Sequence, residues 1–298
     1  HYRPDIDGLR AVAVLLVLGF HGGLPGMSGG FVGVDVFFVI SGYLITGLLL
    51  AEHRRSGTVS LVAFWSRRVR RLAPALLLVV ATALALAPLL LQRVGNETGP
   101  FARAAIATLL LNANHFFLQQ ASDYFAPAAE INPMLHMWSL SVEEQFYVVW
   151  PLLLLLALRR AQGLARPRLM VGAVLLGSFA LSLYLTARAP FFAFFLTPSR
   201  AWEFAAGAVL AVGQARVQAG AMRRAGGGLG LAGLALIVGA GIGLNGVRHF
   251  PAPMALIPVL GAVLFLAAGL AAPRNPVSRA ASARWLVYTG RISYPLYL

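Results

Sequence analysis

Apolar residues run in long blocks along nearly the whole chain, separated by short segments rich in arginine, glycine or proline. Phe31–Leu50, Leu72–Gln92, Leu169–Ala187 and Met254–Ala271 each approach the ~20 residues that carry a helix across a bilayer. A soluble core could hide one such block, but not eight or nine. The pattern predicts spans at 9–24, 31–50, 72–92, 134–157, 169–187, 200–215, 229–245 and 253–271. A ninth begins near Trp285 and is still apolar at Leu298, which predicts a polypeptide that continues. The expected fold is all-α: a polytopic transmembrane helix bundle of about nine spans. Residues 1–298 form one membrane domain, cut short at its C-terminal end, with no solvated domain inside it.

Composition agrees. The chain is 59% hydrophobic and 11% charged, against ~25% charged in soluble domains. Charge then orients the bundle. The net charge of +14 would suit nucleic acid, but all basic residues except histidine are arginine and most sit in short loops between apolar blocks. That is the positive-inside pattern, and nucleic acid is not an expected partner. Arginines cluster at 3–10, 54–71, 159–168, 216–224 and 274–284. Placing these loops in the cytoplasm, with the N-terminus there too, gives a consistent alternation if Phe101–Leu118 does not cross. That segment therefore reads as one interfacial or re-entrant helix. The first apolar block reads as a membrane helix, not a cleavable leader. The absence of cysteine excludes disulfides, thiolate metal sites and cysteine nucleophiles, and no metal site is expected.

Ionisable residues inside spans are costly and mark function by default. Arg10 and His21 are eleven residues apart, about three helical turns, so they share a face roughly 16 Å apart along the axis. With Arg10 at the cytoplasmic edge, His21 lies about halfway across a ~30 Å core. The alternative is a short span with a histidine at its outer end, meeting water. In Trp138–Phe146, Glu144 reaches a similar depth from the other side. A carboxylate beside an imidazole would orient it and raise its basicity. Adjacent Glu143 and Glu144 cannot share a face, so one of them at most is expected to meet His21. The competing reading for Glu144 is a structural ion pair with an arginine. Asp35, among small residues early in the second span, is either a second partner for His21 or an anchor for the glycine-rich loop.

The run Arg67-Arg68-Val69-Arg70-Arg71 needs no explanation beyond orientation in the membrane. Yet Arg67 and Arg71 share one helical face, and guanidinium groups there suit multidentate binding of phosphate. A soluble phosphorylated donor would approach from that side.

Together these residues resemble a known family. Tyr2–Arg10, Gly33–Leu44, Trp138–Trp150, Ser199–Phe204 and Ser293–Tyr297 are similar to the bacterial acyltransferase-3 proteins. Arg10 with His21, and Arg67-Arg68 with Arg71, match that family's two signature patterns. The resemblance implies transfer of an acyl group, usually acetyl, from cytoplasmic acyl-CoA to a carbohydrate outside the bacterial inner membrane. It implies His21 as base or transient acyl carrier, Arg10 as its support, and Arg67, Arg68 and Arg71 as holders of the CoA phosphates. Acyl-CoA would be the donor substrate, with no permanently bound cofactor. Members that open like this one often carry a C-terminal SGNH-hydrolase-like domain, and none lies within residues 1–298. A transporter or flippase of a lipid-linked sugar, using His21 and Glu144 as a proton relay, is the competing reading. It would not consume acyl-CoA, and no inverted repeat supports it. The acceptor and the acyl chain length stay open.

Overall fold

The computed structural model describes residues 2–91, 98–122, 132–159, 163–219, 222–245 and 249–298. These residues fold as helices with no strand among them. The long helices are α1 (Pro4–His21), α2 (Gly33–Ser56), α3 (Leu61–Leu91), α6 (Met137–Arg159), α7 (Ala165–Arg188), α9 (Thr197–Ala219), α10 (Met222–Gly243) and α11 (Leu256–Ala271). Shorter ones are α4 (Thr98–Leu109), α5 (Ala113–Ser122), α8 (Pro190–Phe195), α12 (Pro276–Ala281), α13 (Arg284–Arg291) and α14 (Ser293–Tyr297).

Local chemistry sets several boundaries. Pro4 opens α1 with its φ already helical, and Asp5 and Asp7 in the first turn face the positive end of the helix dipole. α2 ends on Gly57 at φ 71°, the left-handed closure that favours glycine, with His53, Arg54 and Arg55 in its last turn. Asn275 caps α12, accepting a hydrogen bond from the Ser278 amide, and Pro276 follows it.

Five helical segments among the described residues are long and apolar enough to cross a membrane: Gly30–Ser56, Leu61–Ala87, Met137–Arg159, Ala165–Arg188 and Ala225–Gly243. The expected nine are therefore not all met. The span predicted at 9–24 becomes α1, which carries Asp5, Asp7 and Arg10. The span at 200–215 becomes α9, which carries Arg200, Glu203 and Arg216. The span at 253–271 shortens to the 16 residues of α11. Of the ninth, near Trp285, the described residues form α13 and α14, with Ile292 between them. The segment Phe101–Leu118 is not one helix either. It divides between α4 and α5, with Leu111 at φ 55° in the break. At 1.5 Å per residue neither piece can cross ~30 Å.

α2 is the hub. Two-thirds of its best apolar window (67%) is buried, against 11% for α3 and 17% for α7, which line the outside. Glycines let α2 and α9 touch backbone to backbone: a Cβ at Gly42 would overlap the Phe204 carbonyl, and one at Gly207 would overlap that of Val39. Small residues at the contact are how helices pack where lipid removes the hydrophobic drive. A column of rings ties in α6: Phe38 stacks on Phe204 (4.4 Å), Phe204 on Phe146 (4.2 Å) and Phe146 on Trp150 (4.8 Å).

Candidate active site

A cavity of about 550 Å³ lies among α1, α2, α3, α6 and α14. One flank is apolar, with Phe37, Ile40, Leu44 and Leu48 from α2. The other is basic: Arg10 from α1 with Arg67, Arg68 and Arg71 from α3. Four arginines predicted from two distant stretches of sequence thus meet on one space. Arg10 and Arg71 are close enough for their charges to repel, which an anion between them would relieve. Arg10 is held by Ser293, whose hydroxyl lies 3.0 Å from Nη2. Arg67 is exposed (56%) and makes only a long contact to Glu52, 3.5 Å.

α6 organises the interior by presenting successive residues to different neighbours, each turned ~100° from the last. Ser139 shares a hydrogen bond with the Tyr297 hydroxyl. Ser141 accepts from the Ala113 amide at 3.1 Å. Glu143 enters the cavity and accepts from Ser41 and, at 2.5 Å, from the Tyr147 hydroxyl. Glu144 pairs with Arg68 at 2.8 Å, while the Arg68 guanidinium lies 3.4 Å above the Tyr147 ring. Gln145 donates to the Leu111 carbonyl at 2.9 Å and so ties the α4–α5 break to α6.

His21 is the last residue of α1 and is exposed, next to Gly22 and Gly23. Its Nδ1 lies 2.9 Å from the Val17 carbonyl. A carbonyl can only accept, so Nδ1 carries the proton and Nε2 keeps the lone pair in the neutral ring. The carboxylate expected to orient His21 is thus replaced by a backbone carbonyl one turn earlier.

Neither proposed acidic partner reaches His21. Glu144 is taken by Arg68, the structural ion pair weighed in the sequence. Asp35 neither meets His21 nor anchors the glycine-rich loop. It pairs with Arg200 of α9 at 2.7 Å, and Arg200 also contacts Glu203 at 2.8 Å. That second contact, Nε to Oε1, lacks hydrogen-bond geometry, and the hydrogen bond to Glu203 is made by Nη2 at 3.2 Å. All three side chains are fully buried. The physical reason is shared: a buried guanidinium left alone is strongly destabilising, so each captures the nearest carboxylate.

The cavity is not lined by His21. At its far end stand Ser139 and Tyr297. Next to Tyr297 lies His136, whose ring meets the Tyr297 ring edge-on at 5.7 Å and which feels the charge of His21. Burial, more than that charge, holds the His136 imidazole below its usual range. Burial likewise pushes the Tyr297 phenol up, so it remains a donor, to the His136 carbonyl at 3.0 Å. The sequence reading weighed Glu143 only as an alternative to Glu144, and missed Ser41, Tyr147, His136 and Tyr297. Glu143 carried a visible signal, a second carboxylate within an apolar span; the hydroxyls carried none.

Comparison with known proteins identifies the family. The sequence pattern of the family described as an acyltransferase domain matches residues 3–298. The peptidoglycan O-acetyltransferase OatA of Listeria monocytogenes is 31% identical over 313 aligned residues, covering all of this chain and 48% of that protein. The O-acetyltransferase OatA of Staphylococcus aureus is 42% identical over 159 residues, 53% of this chain and 26% of its own length. A putative peptidoglycan O-acetyltransferase of Bacillus subtilis, YrhL, is 35% identical over 217 residues, 71% of this chain and 33% of its own. The chain spans about half or less of the length of these relatives. No solved structure matches it significantly. With its family pattern running from residue 3 to residue 298, and its apolar helices built for a bilayer, the chain is a membrane protein of the acyltransferase-3 family.

Proposed function

We propose that this chain is the acyl-transfer part of a membrane O-acetyltransferase acting on cell-wall carbohydrate. The observation that carries the proposal is the cavity in which Arg10, Arg67, Arg68 and Arg71 converge beside an apolar wall. An acyl-CoA has the matching halves: phosphates for the guanidinium forks and a slender arm for the wall of Phe37, Ile40 and Leu44. The relatives that are peptidoglycan O-acetyltransferases by name suggest the acceptor class, peptidoglycan.

In this reading the arginine-rich end, with the N-terminus, faces the cytoplasm of a bacterial inner membrane. The donor enters there, and its thioester points toward Ser139 and Tyr297. To meet His21 the donor arm would have to extend beyond the cavity, past Tyr297 and the His136 ring packed against it. Nε2 of His21 takes the proton of the acceptor hydroxyl as its oxygen bonds to the acyl carbon. The carbon–sulfur bond breaks, and the proton leaves on the CoA thiol.

The test is transfer of labelled acetyl from acetyl-CoA to a peptidoglycan fragment by the full-length protein in liposomes. His21→Ala should lower the rate by ~10²–10⁴, the usual loss for a general base, without changing membrane insertion. A variant that keeps more than half the activity would remove His21 from the chemistry. A protein that moves a lipid-linked sugar without consuming acetyl-CoA would support the transporter reading instead.

A further inference from the structure

α13 presents a surface that calls for a partner of its own. α13 is eight residues long, about 12 Å at 1.5 Å per residue, too short to cross a bilayer. One side of it is pressed against the protein: a Cβ at Gly290 would overlap the Asp7 carbonyl, and one at Gly8 would overlap the Ala281 carbonyl just before α13. The other side faces away. Trp285 and Tyr288, three residues apart and so on one face, are 64% and 66% exposed, and Tyr2, which meets Arg291 of the same helix, is 62% exposed.

Four exposed arginines, Arg274, Arg279, Arg284 and Arg291, lie on α13 and on the stretch of chain that leads into it. Arg291 is engaged, with Nε 3.8 Å from Asp7 and Nη2 donating to the Tyr2 hydroxyl at 3.0 Å. Among the described residues Arg274, Arg279 and Arg284 have no ion pair. Large rings with a polar edge collect at the membrane–water boundary, and unpaired arginines there attract anionic headgroups.

We infer that α13 lies in the headgroup layer of the membrane and holds anionic phospholipid between Trp285, Tyr288 and the arginines Arg274, Arg279 and Arg284. The inference does not depend on which acyl donor the cavity takes. It reaches the cavity all the same, because α13 leads through Ile292 into α14, whose Ser293 holds Arg10. An anchored α13 fixes that wall.

The test uses the full-length protein in nanodiscs of phosphatidylcholine, with and without an equal share of phosphatidylglycerol. Fluorescence from Trp285 is isolated by subtracting the Trp285→Phe protein and quenched with lipids brominated high or low on the acyl chain. High bromines should quench more strongly than low ones. Phosphatidylglycerol should shift the Trp285 emission to the blue, and Arg279→Gln with Arg284→Gln should abolish that shift. Stronger quenching by low bromines would make this segment part of a membrane crossing and overturn the inference. No quenching by either would mean that water or further polypeptide covers the face, with the same consequence. A blue shift that survives in the double variant would exclude the arginines as the lipid site.

Discussion

α2 carries charge chemistry at two places, and they are built on opposite rules. Near its start, Asp35 meets Arg200 and Glu203 in a cluster with no access to water. Phe38, Trp138, Phe194 and Phe250 box the guanidinium at 5.4–5.7 Å. Further along, the helix walls a cavity where four arginines face one lining carboxylate, Glu143, and where Arg67 stands largely in solvent. The first place answers its guanidinium with carboxylates from within the protein, as a lock between α2 and α9 must. The second leaves cations in excess and open, as an anion site must. A charged residue in a membrane helix therefore marks function only when its surroundings leave it unanswered.

The comparison can be broken first at the lock. Arg200→Ala leaves two carboxylates buried without a counter-charge, and should cost about 3–5 kcal/mol of stability. Thermal unfolding in detergent should show a large fall in midpoint. Arg67→Ala, from the open site, should leave the midpoint where it was, because exposed pairs contribute little. Equal effects from the two would erase the distinction.

Much of this was readable in the sequence, and the limits have physical causes. Arg10 and the arginine run announced themselves because a cation beside an apolar block is a local signal. The sequence reading gave Arg10 to His21 and only the run to the donor, and expected a cavity reaching His21; the cavity instead joins Arg10 to the run and is not lined by His21. The partner of Glu144 was not readable, because Arg68 is remote in sequence and two adjacent carboxylates look alike until their faces are known. The orientation of His21 was misjudged for the opposite reason: its partner, Val17, is only four residues back, and a distant carboxylate was sought instead. Five apolar segments matched predicted spans, whereas α1 and α9 carry charges and α11 is shorter, so length and composition alone do not single these three out. Length of apolar run is a weak guide where the helix also carries an ion pair or a site.

A finer test concerns how the open site is kept in shape. Ser293→Ala removes the hydroxyl that holds Arg10. Loss of one such bond to a charged group is worth ~1.5–3 kcal/mol at most, less where water can replace it. The KM for acetyl-CoA should rise about ten-fold by that scale, with kcat little changed. A fall in kcat alone would place Ser293 in the chemistry instead.

The smallest effect is expected from pH. Burial lowers the His136 imidazole, so the unfolded chain binds a proton more readily than the folded one. Its contribution is fully present above the ordinary value near ~6.5 and is lost as pH falls through the lower folded value. Unfolding midpoints measured from neutral to mildly acid pH should decline more steeply for the natural protein than for His136→Asn. Identical slopes would mean the imidazole is not shielded.

The central claim is that the open arginines hold the phosphates of a CoA donor. Calorimetric titration of the full-length protein with a non-hydrolysable acetyl-CoA analogue tests it directly, comparing the natural protein with Arg67→Ala combined with Arg71→Ala. At ~1.5–3 kcal/mol for each charge-assisted hydrogen bond, the double variant should bind about 100-fold more weakly or worse, with its unfolding midpoint unchanged. Equal affinity in the two proteins would contradict the account and return the arginine run to a plain anchor of membrane orientation.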